Sequence, residues 1–341
     1  MKLKSKYLIY LLITGISAWF LYLAREILAP FVLAAVFAYL LNPLVSILDQ
    51  RLKIRRDLSI FIVYLVIFAV LIFAGGVIGR KLVQETRDFA AEARVNLTIL
   101  ERGEEIANLP DWVAPYVPEL ITSLRHSVSF SSQQAVKVFS GAIESLAALF
   151  VFFMGLFYFL KDGQKFFGQI EKLFPGGSRI EFGIVIRKVN QILGNYLRAQ
   201  SLLIGIMFIA NFVAFSLLGS KYSLIIGLVA GLAEIIPIVG PTAAFLFILL
   251  VTIISGGLPN IGLQVFYEIP LAGLIYLLIN QLENALVVPQ ITGRMVALHP
   301  VLVLLSVLIG GHLFGALGFL VAVPLVASVK VILDHILDLA E

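Results

Sequence analysis

Residues 222–256 read YSLIIGLVAGLAEIIPIVGPTAAFLFILLVTIISG, and the way this run folds decides the architecture of the chain. Glu234 is its only charged residue. A helix that crosses hydrocarbon needs about 20 apolar residues, each rising roughly 1.5 Å. The run is too long for one ordinary crossing, and Pro237, Gly240 and Pro241 cut it into halves that are short for a full one. Proline withdraws a backbone donor and glycine permits a turn. Broken backbone at membrane depth is tolerated only where it is buried in protein or lines a cavity. The run therefore reads as a broken helix or hairpin with its tip near Glu234. The pattern leaves open whether it dips in and returns or crosses twice. A second run, residues 301–333, repeats the theme, interrupted by Gly310, Gly311, Gly315 and Gly318, with Pro324 beyond.

The rest of the chain fits the same solvent. Of 341 residues, 60% are hydrophobic and 13% charged, and the mean hydropathy is +1.01. Soluble domains average roughly 45–50% apolar and about 25% charged residues, and a soluble fold of this length needs far more polar surface. A soluble enzyme, a disordered chain and a nucleic-acid-binding domain are excluded. Continuous apolar runs also exclude an outer-membrane barrel, whose strands alternate. The fold class is all-α, a polytopic transmembrane bundle, with ordinary spans expected at 7–24, 27–48, 58–79, 138–160, 199–218 and 266–288. Lys2, Lys4 and Lys6 precede the apolar run Tyr7–Leu23, and no small-residue cleavage site follows, so it reads as an uncleaved first span. Cysteine is absent, which removes disulfides and thiolate metal sites. No metal site or cofactor is expected.

Loop charge sets the orientation. Arg51, Lys53, Arg55 and Arg56 mark the loop at 50–57 as cytoplasmic. Residues 80–137 are balanced in charge and suit the outside, whereas 161–198 are mainly basic and suit the inside. Counting spans from a cytoplasmic N-terminus reproduces these assignments and leaves the C-terminus inside. The domain plan is N-terminal spans 1–79, an extracytoplasmic amphipathic segment 80–137, a span 138–160, cytoplasmic interfacial helices 161–198 and a transport core 199–341. Leu82, Thr86, Phe89, Ala93 and Leu97/Leu100 recur at helical spacing, so the third span is expected to continue outward until Pro110, Pro115 and Pro118 end it, with a second helix from Glu119. Arg187, Lys188 and Arg198 give 161–198 a basic face suited to anionic lipid headgroups, although packing against the bundle fits as well.

From Ala199 to Val329 the formal charges are Lys221, Glu234, Glu268, Glu283 and Arg294. Lys221 and Glu268 read as interface residues. A charge inside the hydrocarbon is costly and marks a cavity, a partner or an ion path. Glu234 at the first break is a candidate ion or proton ligand, with freed carbonyls able to hold a cation and the following half-helix N-terminus an anion. Asn280, Glu283 and Asn284 share a helix face at i, i+3 and i+4. Pro289 and Gly293 then interrupt that helix, and Arg294 is placed to pair with a carboxylate or a headgroup. His299 and His312 are weaker candidates as proton carriers. Gly227/Gly231, Gly75/Gly79 and Gly311/Gly315 have the spacing of close helix packing. A full span before each broken run suggests inverted repeats in the second half, a design that places sites between discontinuous helices.

Residues 231–241, GLAEIIPIVGP, resemble a signature of the bacterial autoinducer-2 exporter family. So do 283–293, ENALVVPQITG, continuing through Leu298-His-Pro300, Ile309-Gly-Gly311, Phe314-Gly-Ala-Leu-Gly318 and Val323-Pro324. The resemblance implies an inner-membrane transporter that is a homo-oligomer, with a pentamer as one form it could take. Members are linked to export of autoinducer-2, the quorum-sensing signal, and to sodium/proton exchange. It carries Glu234, Pro237, Gly240, Pro241, Glu283, Asn284, Pro289 and Gly293 into the site region. The expected function is secondary transport of a small polar solute or ion by alternating access, coupled to a proton or sodium gradient. An oligomeric channel and a membrane scaffold are the alternatives. Enzymatic activity is not expected, since neither a Walker loop nor a His-Glu-x-x-His motif is present.

Overall fold

The computed structural model describes residues 19–20, 23–101, 142–171, 177–262, 265–292 and 298–338. Most of the first apolar run, the three prolines at 110–118 with the helix expected after them, Gly293 and Arg294 lie outside the described residues. The described elements are helices, with no strand among them. In chain order they are α1 (Arg25–Ser46), α2 (Arg56–Ala74), α3 (Arg80–Glu101), α4 (Ala142–Glu171), α5 (Gly177–Leu217), α6 (Ser223–Ala233), α7 (Val239–Ile254), α8 (Val265–Leu282), α9 (Val288–Thr292) and α10 (Pro300–Asp338). Five stretches are long and apolar enough to cross a membrane: Ile27–Arg51, Arg56–Ala93, Gly183–Leu217, Tyr267–Ile291 and Pro300–His335. Helices α6 and α7 are apolar but shorter. At 1.5 Å per residue they reach about 16 and 24 Å, below the roughly 30 Å of a hydrocarbon core.

The chain forms two compact units. One gathers residues 1–65, 143–198 and 296–341. Here α1 packs against α10, and Phe37 meets Phe152 edge-on with centroids 5.5 Å apart. Arg56 organises the start of α2. Its guanidinium donates to the Leu160 carbonyl, to Asn42 Oδ1 at 3.2 Å and to Asp49 Oδ2 at 3.3 Å. Lys161 pairs with Asp57 at 2.9 Å. The basic loop is therefore tied down by its own charges.

Helix α10 is not one straight rod. Gly315 has φ 61° and ψ −139°, a conformation that favours glycine. A Cβ built on Gly318 would lie 1.8 Å from the Gly310 carbonyl oxygen, although residues eight apart in a continuous helix are separated by about 12 Å. The helix thus reverses at Gly315 into two arms that touch through Gly310 and Gly318. Gly315 makes the turn, and Gly311 faces the Phe319 ring of the opposite arm.

The second unit gathers residues 66–142 and 199–295. Its core contains Met207, Phe215, Tyr222, Ile226, Ala230, Ala244, Ile248, Val251 and Tyr276, with Leu82 and Phe89 packed against it. The helical continuation of the third span is present. Helix α2 passes through a π-helical turn, Gly75–Gly79, directly into α3. Ala93 is fully buried on the predicted apolar face. The spacing at Gly227/Gly231 does what small-xxx-small spacing does: α5 presses its Phe208 and Ile204 carbonyls against these glycines, within 2.8 and 2.7 Å of where a Cβ would sit. Gly75 and Gly79 have no such neighbour among the described residues. Residues 177–198 and the span that follows them are assigned to one helix, α5, which runs from Gly177 to Leu217.

Candidate functional site

The first broken run is a helical hairpin. Helix α6 ends at Ala233, α7 begins at Val239, and the two pack against each other. The tip is tight: a Cβ on Gly240 would lie 1.7 Å from the Ala233 carbonyl oxygen, so only glycine fits. Ile238 takes φ 71°, a genuine outlier for a β-branched residue that costs about 1–2 kcal/mol. Such strain persists only where the surroundings over-determine it.

Those surroundings are polar side chains from the flanking helices. At the tip, Gln200 of α5 donates to the Glu234 carbonyl, and the Tyr276 hydroxyl of α8 donates to the Pro241 carbonyl at 3.0 Å. At the base, Glu85 of α3 accepts from the Ile225 N–H at 3.2 Å. It thereby caps the N-terminus of α6, where orphan N–H groups and the helix dipole favour a carboxylate. Glu268 of α8 accepts from the Leu258 N–H in the loop after α7. Glu268 is thus a buried structural ligand rather than an interface charge. Lys221 is exposed and pairs with Glu92 at 3.1 Å.

The backbone at the tip is largely used up. The Glu234, Ile235 and Ile236 N–H groups bond back to Gly231, Leu232 and Ala233, and those of Val239 and Gly240 bond to Pro237 and Ile236. Pro241 has no N–H to offer. The start of α7 therefore offers no anion cradle of free donors at 239–241, and the carbonyls of 231–234 and 236–237 already accept hydrogen bonds. Open side-chain groups remain. One carboxylate oxygen each of Glu234 and Glu283 is buried without a hydrogen-bond partner among the described residues, as is the Asn280 amide nitrogen. Glu283 is only 3% exposed, and its charge lies within electrostatic reach of Glu234. Tyr276 is within reach of both carboxylates. Tyr276, Asn280 and Glu283, at i, i+4 and i+7, form one face of α8.

Asn284 is exposed and stays in contact with Asn280, donating to its backbone carbonyl at 2.9 Å and to its Oδ1 at 3.2 Å. A π-helical turn, Glu283–Val287, begins beside it. The interruption expected at Pro289 takes the form of this turn. Proline cannot donate to residue 285 and its ring crowds that carbonyl, and a π-turn relieves the conflict one turn earlier. The helix then resumes as α9 to Thr292. His299 and His312 are both exposed, on the arm of α10 before Gly315. Gln200, Ile238 and Tyr276 belong to the site but were missed by sequence reading. For Tyr276 the signal was available: it extends the Asn280–Glu283 face by one turn.

Fold and site together define a multi-pass α-helical membrane protein with paired buried carboxylates beside a helix break. The chain belongs to the AI-2E family of transporters, whose family profile matches residues 8–338. It is 24% identical over 317 residues to the AI-2 transport protein TqsA of Escherichia coli K12, covering 92% of this chain and 87% of TqsA. It is 26% identical over 345 residues to PerM of the same organism, covering 96% and 91% of the two chains. YueF of Bacillus subtilis is 24% identical over 323 residues, covering 92% and 85%.

Proposed function

We propose that this protein is a secondary transporter of the cytoplasmic membrane that moves a small polar solute or ion by alternating access, with Glu234 and Glu283 holding the coupling cation, a proton or sodium. The observation that carries the reading is that two carboxylates in mutual electrostatic reach, Glu234 at the hairpin tip and Glu283 just beyond α8, each hold an open, buried oxygen. Uncompensated buried carboxylates are expensive, so a cation that neutralises them changes the stability of this arrangement by several kcal/mol. A hairpin whose packing depends on that neutralisation is a two-state element that cation binding biases. The kinship to TqsA makes autoinducer-2 the first solute to test. Both termini are placed in the cytoplasm by loop charge. The test is flux into proteoliposomes under imposed proton and sodium gradients. Glu234→Gln and Glu283→Gln are expected to abolish gradient-driven flux while keeping the protein folded; wild-type flux in both overturns the assignment.

A further inference from the structure

Helix α3 carries two unlike faces. Leu82, Glu85, Phe89 and Ala93 turn toward the core of their unit, where Glu85 caps α6 and Phe89 meets the Tyr222 ring edge-on at 5.3 Å. Arg80, Gln84 and Arg87, at i, i+4 and i+7, share the opposite face and are exposed. With Val83 they border a cavity of about 700 Å³ that reaches back to Gly75 and Gly79. The backbone makes this room. A π-helical turn holds one residue more than an α-turn, and no atom among the described residues lies within 4 Å of where a Cβ on Gly75, Gly76 or Gly79 would sit. Glycine spacing that elsewhere lets helices press together is here left open.

The cavity is cationic at one level and apolar at the next. Residues 58–79 contain no charge and make about 33 Å of helix at 1.5 Å per residue, so Arg80 stands where the hydrocarbon ends. Phe73, Val77 and Ile78 are exposed beside the glycines. Arg80 Nε donates to the Gly76 carbonyl, and neither Arg80 nor Arg87 has an acidic partner among the described residues. Asp88 also borders the cavity and pairs with neither, which leaves two positive charges against one negative. Two guanidiniums and an amide match the oxygens of a phosphate. A free phosphate would leave the apolar level unmatched, whereas a phosphate that carries acyl chains matches both.

We propose that this cavity binds an anionic phospholipid, with Arg80 and Arg87 on the headgroup phosphate and an acyl chain over Gly75 and Gly79. The lipid lies on the back of the helix whose other face caps the hairpin, and its site is independent of the carboxylate pair.

The test is native mass spectrometry of the purified full chain, released from micelles that hold equal amounts of phosphatidylglycerol and phosphatidylethanolamine with the same acyl chains. The wild type is expected to retain phosphatidylglycerol in preference. Replacing Arg80→Gln and Arg87→Gln together is expected to cut that preference by about fivefold for each guanidinium removed. Replacing Gly75→Leu and Gly79→Leu together keeps every charge, suits a helix better than glycine and fills the open space, so retention is expected to fall here too. Lys53→Gln with Arg55→Gln takes two charges from the loop before α2 and is expected to keep the preference. A wild type that retains both lipids equally overturns the proposal, as does a preference for phosphatidylethanolamine, whose ammonium would pair with Asp88. An equal loss in the Lys53 and Arg55 variant, the mark of general surface charge, overturns it, and so does unchanged retention in either cavity variant. Glycerol 3-phosphate, the phosphate without chains, separates a lipid from a free anion: displacement of phosphatidylglycerol by an equal concentration of it overturns the lipid assignment.

Discussion

The two hairpins solve the same problem, reversing a helix in an apolar setting, by different means. The second turns on one residue, Gly315, and closes through glycine-to-glycine contact at Gly310 and Gly318. The first turns over several residues, forces Ile238 to a positive φ, and is pinned at tip and base by Gln200, Tyr276, Glu85 and Glu268. Its open polar atoms are carboxylate oxygens. A reversal needs only glycine; the additional strain and polar anchoring accompany the buried charges. This difference separates a hairpin closed through glycine contacts from one that holds open carboxylate oxygens.

Substitutions can sharpen or break that contrast. The largest effect is expected from Gly240→Ala, because its Cβ would collide with backbone that has nowhere to go. Monodisperse protein recovered after detergent extraction should fall to near zero, and near-normal recovery would show that the tip relaxes. Gly315→Ala meets no atom within 4 Å and pays only for its φ, about 1–2 kcal/mol. Thermal unfolding should move down by a few degrees while transport persists. Glu85→Ala removes the carboxylate from the N-terminus of α6, a loss of about 1 kcal/mol by the measure of helix caps. Faster hydrogen exchange at Leu224 and Ile225, with none at α10, would localise the effect to the first hairpin. The smallest effect is expected from His299→Ala and His312→Ala on the second hairpin. Both side chains are exposed, and flux measured across pH should match the wild type. A shifted pH profile would place proton chemistry on both hairpins and erase the distinction.

Much of this architecture was legible in the sequence because membrane solvent is demanding. Long apolar runs must be helices, and Pro237, Gly240 and Pro241 had to interrupt one of them. The amphipathic face through Leu82, Phe89 and Ala93 was equally plain, since its period is helical. The glycines of 301–333 marked a break in that run, but which of them makes the turn was hidden, because a glycine that turns and a glycine that packs look identical in a sequence. The continuity of α5 was hidden because proximity to basic residues does not reveal where a helix axis bends. At the site, Glu234 and Glu283 stood out by charge in an apolar background. Gln200 and Tyr276 did not, since a lone amide or phenol in a span is ordinary and its bond to a distant carbonyl is set only by packing.

The shortness of α6 bears on how the protein is made. At about 16 Å it is too short to be held by lipid alone, and residues Ser223–Gly227 are buried in protein. Its lodging is supplied partly by chain made much earlier, since Glu85 and the Ile225 N–H it caps are 140 residues apart. It is supplied partly by α8, which emerges later. The hairpin therefore cannot settle as the ribosome delivers it, in the order of the chain. Its packing is complete only once the neighbours on both sides in the chain have been made, so the hairpin closes after α8 has joined it.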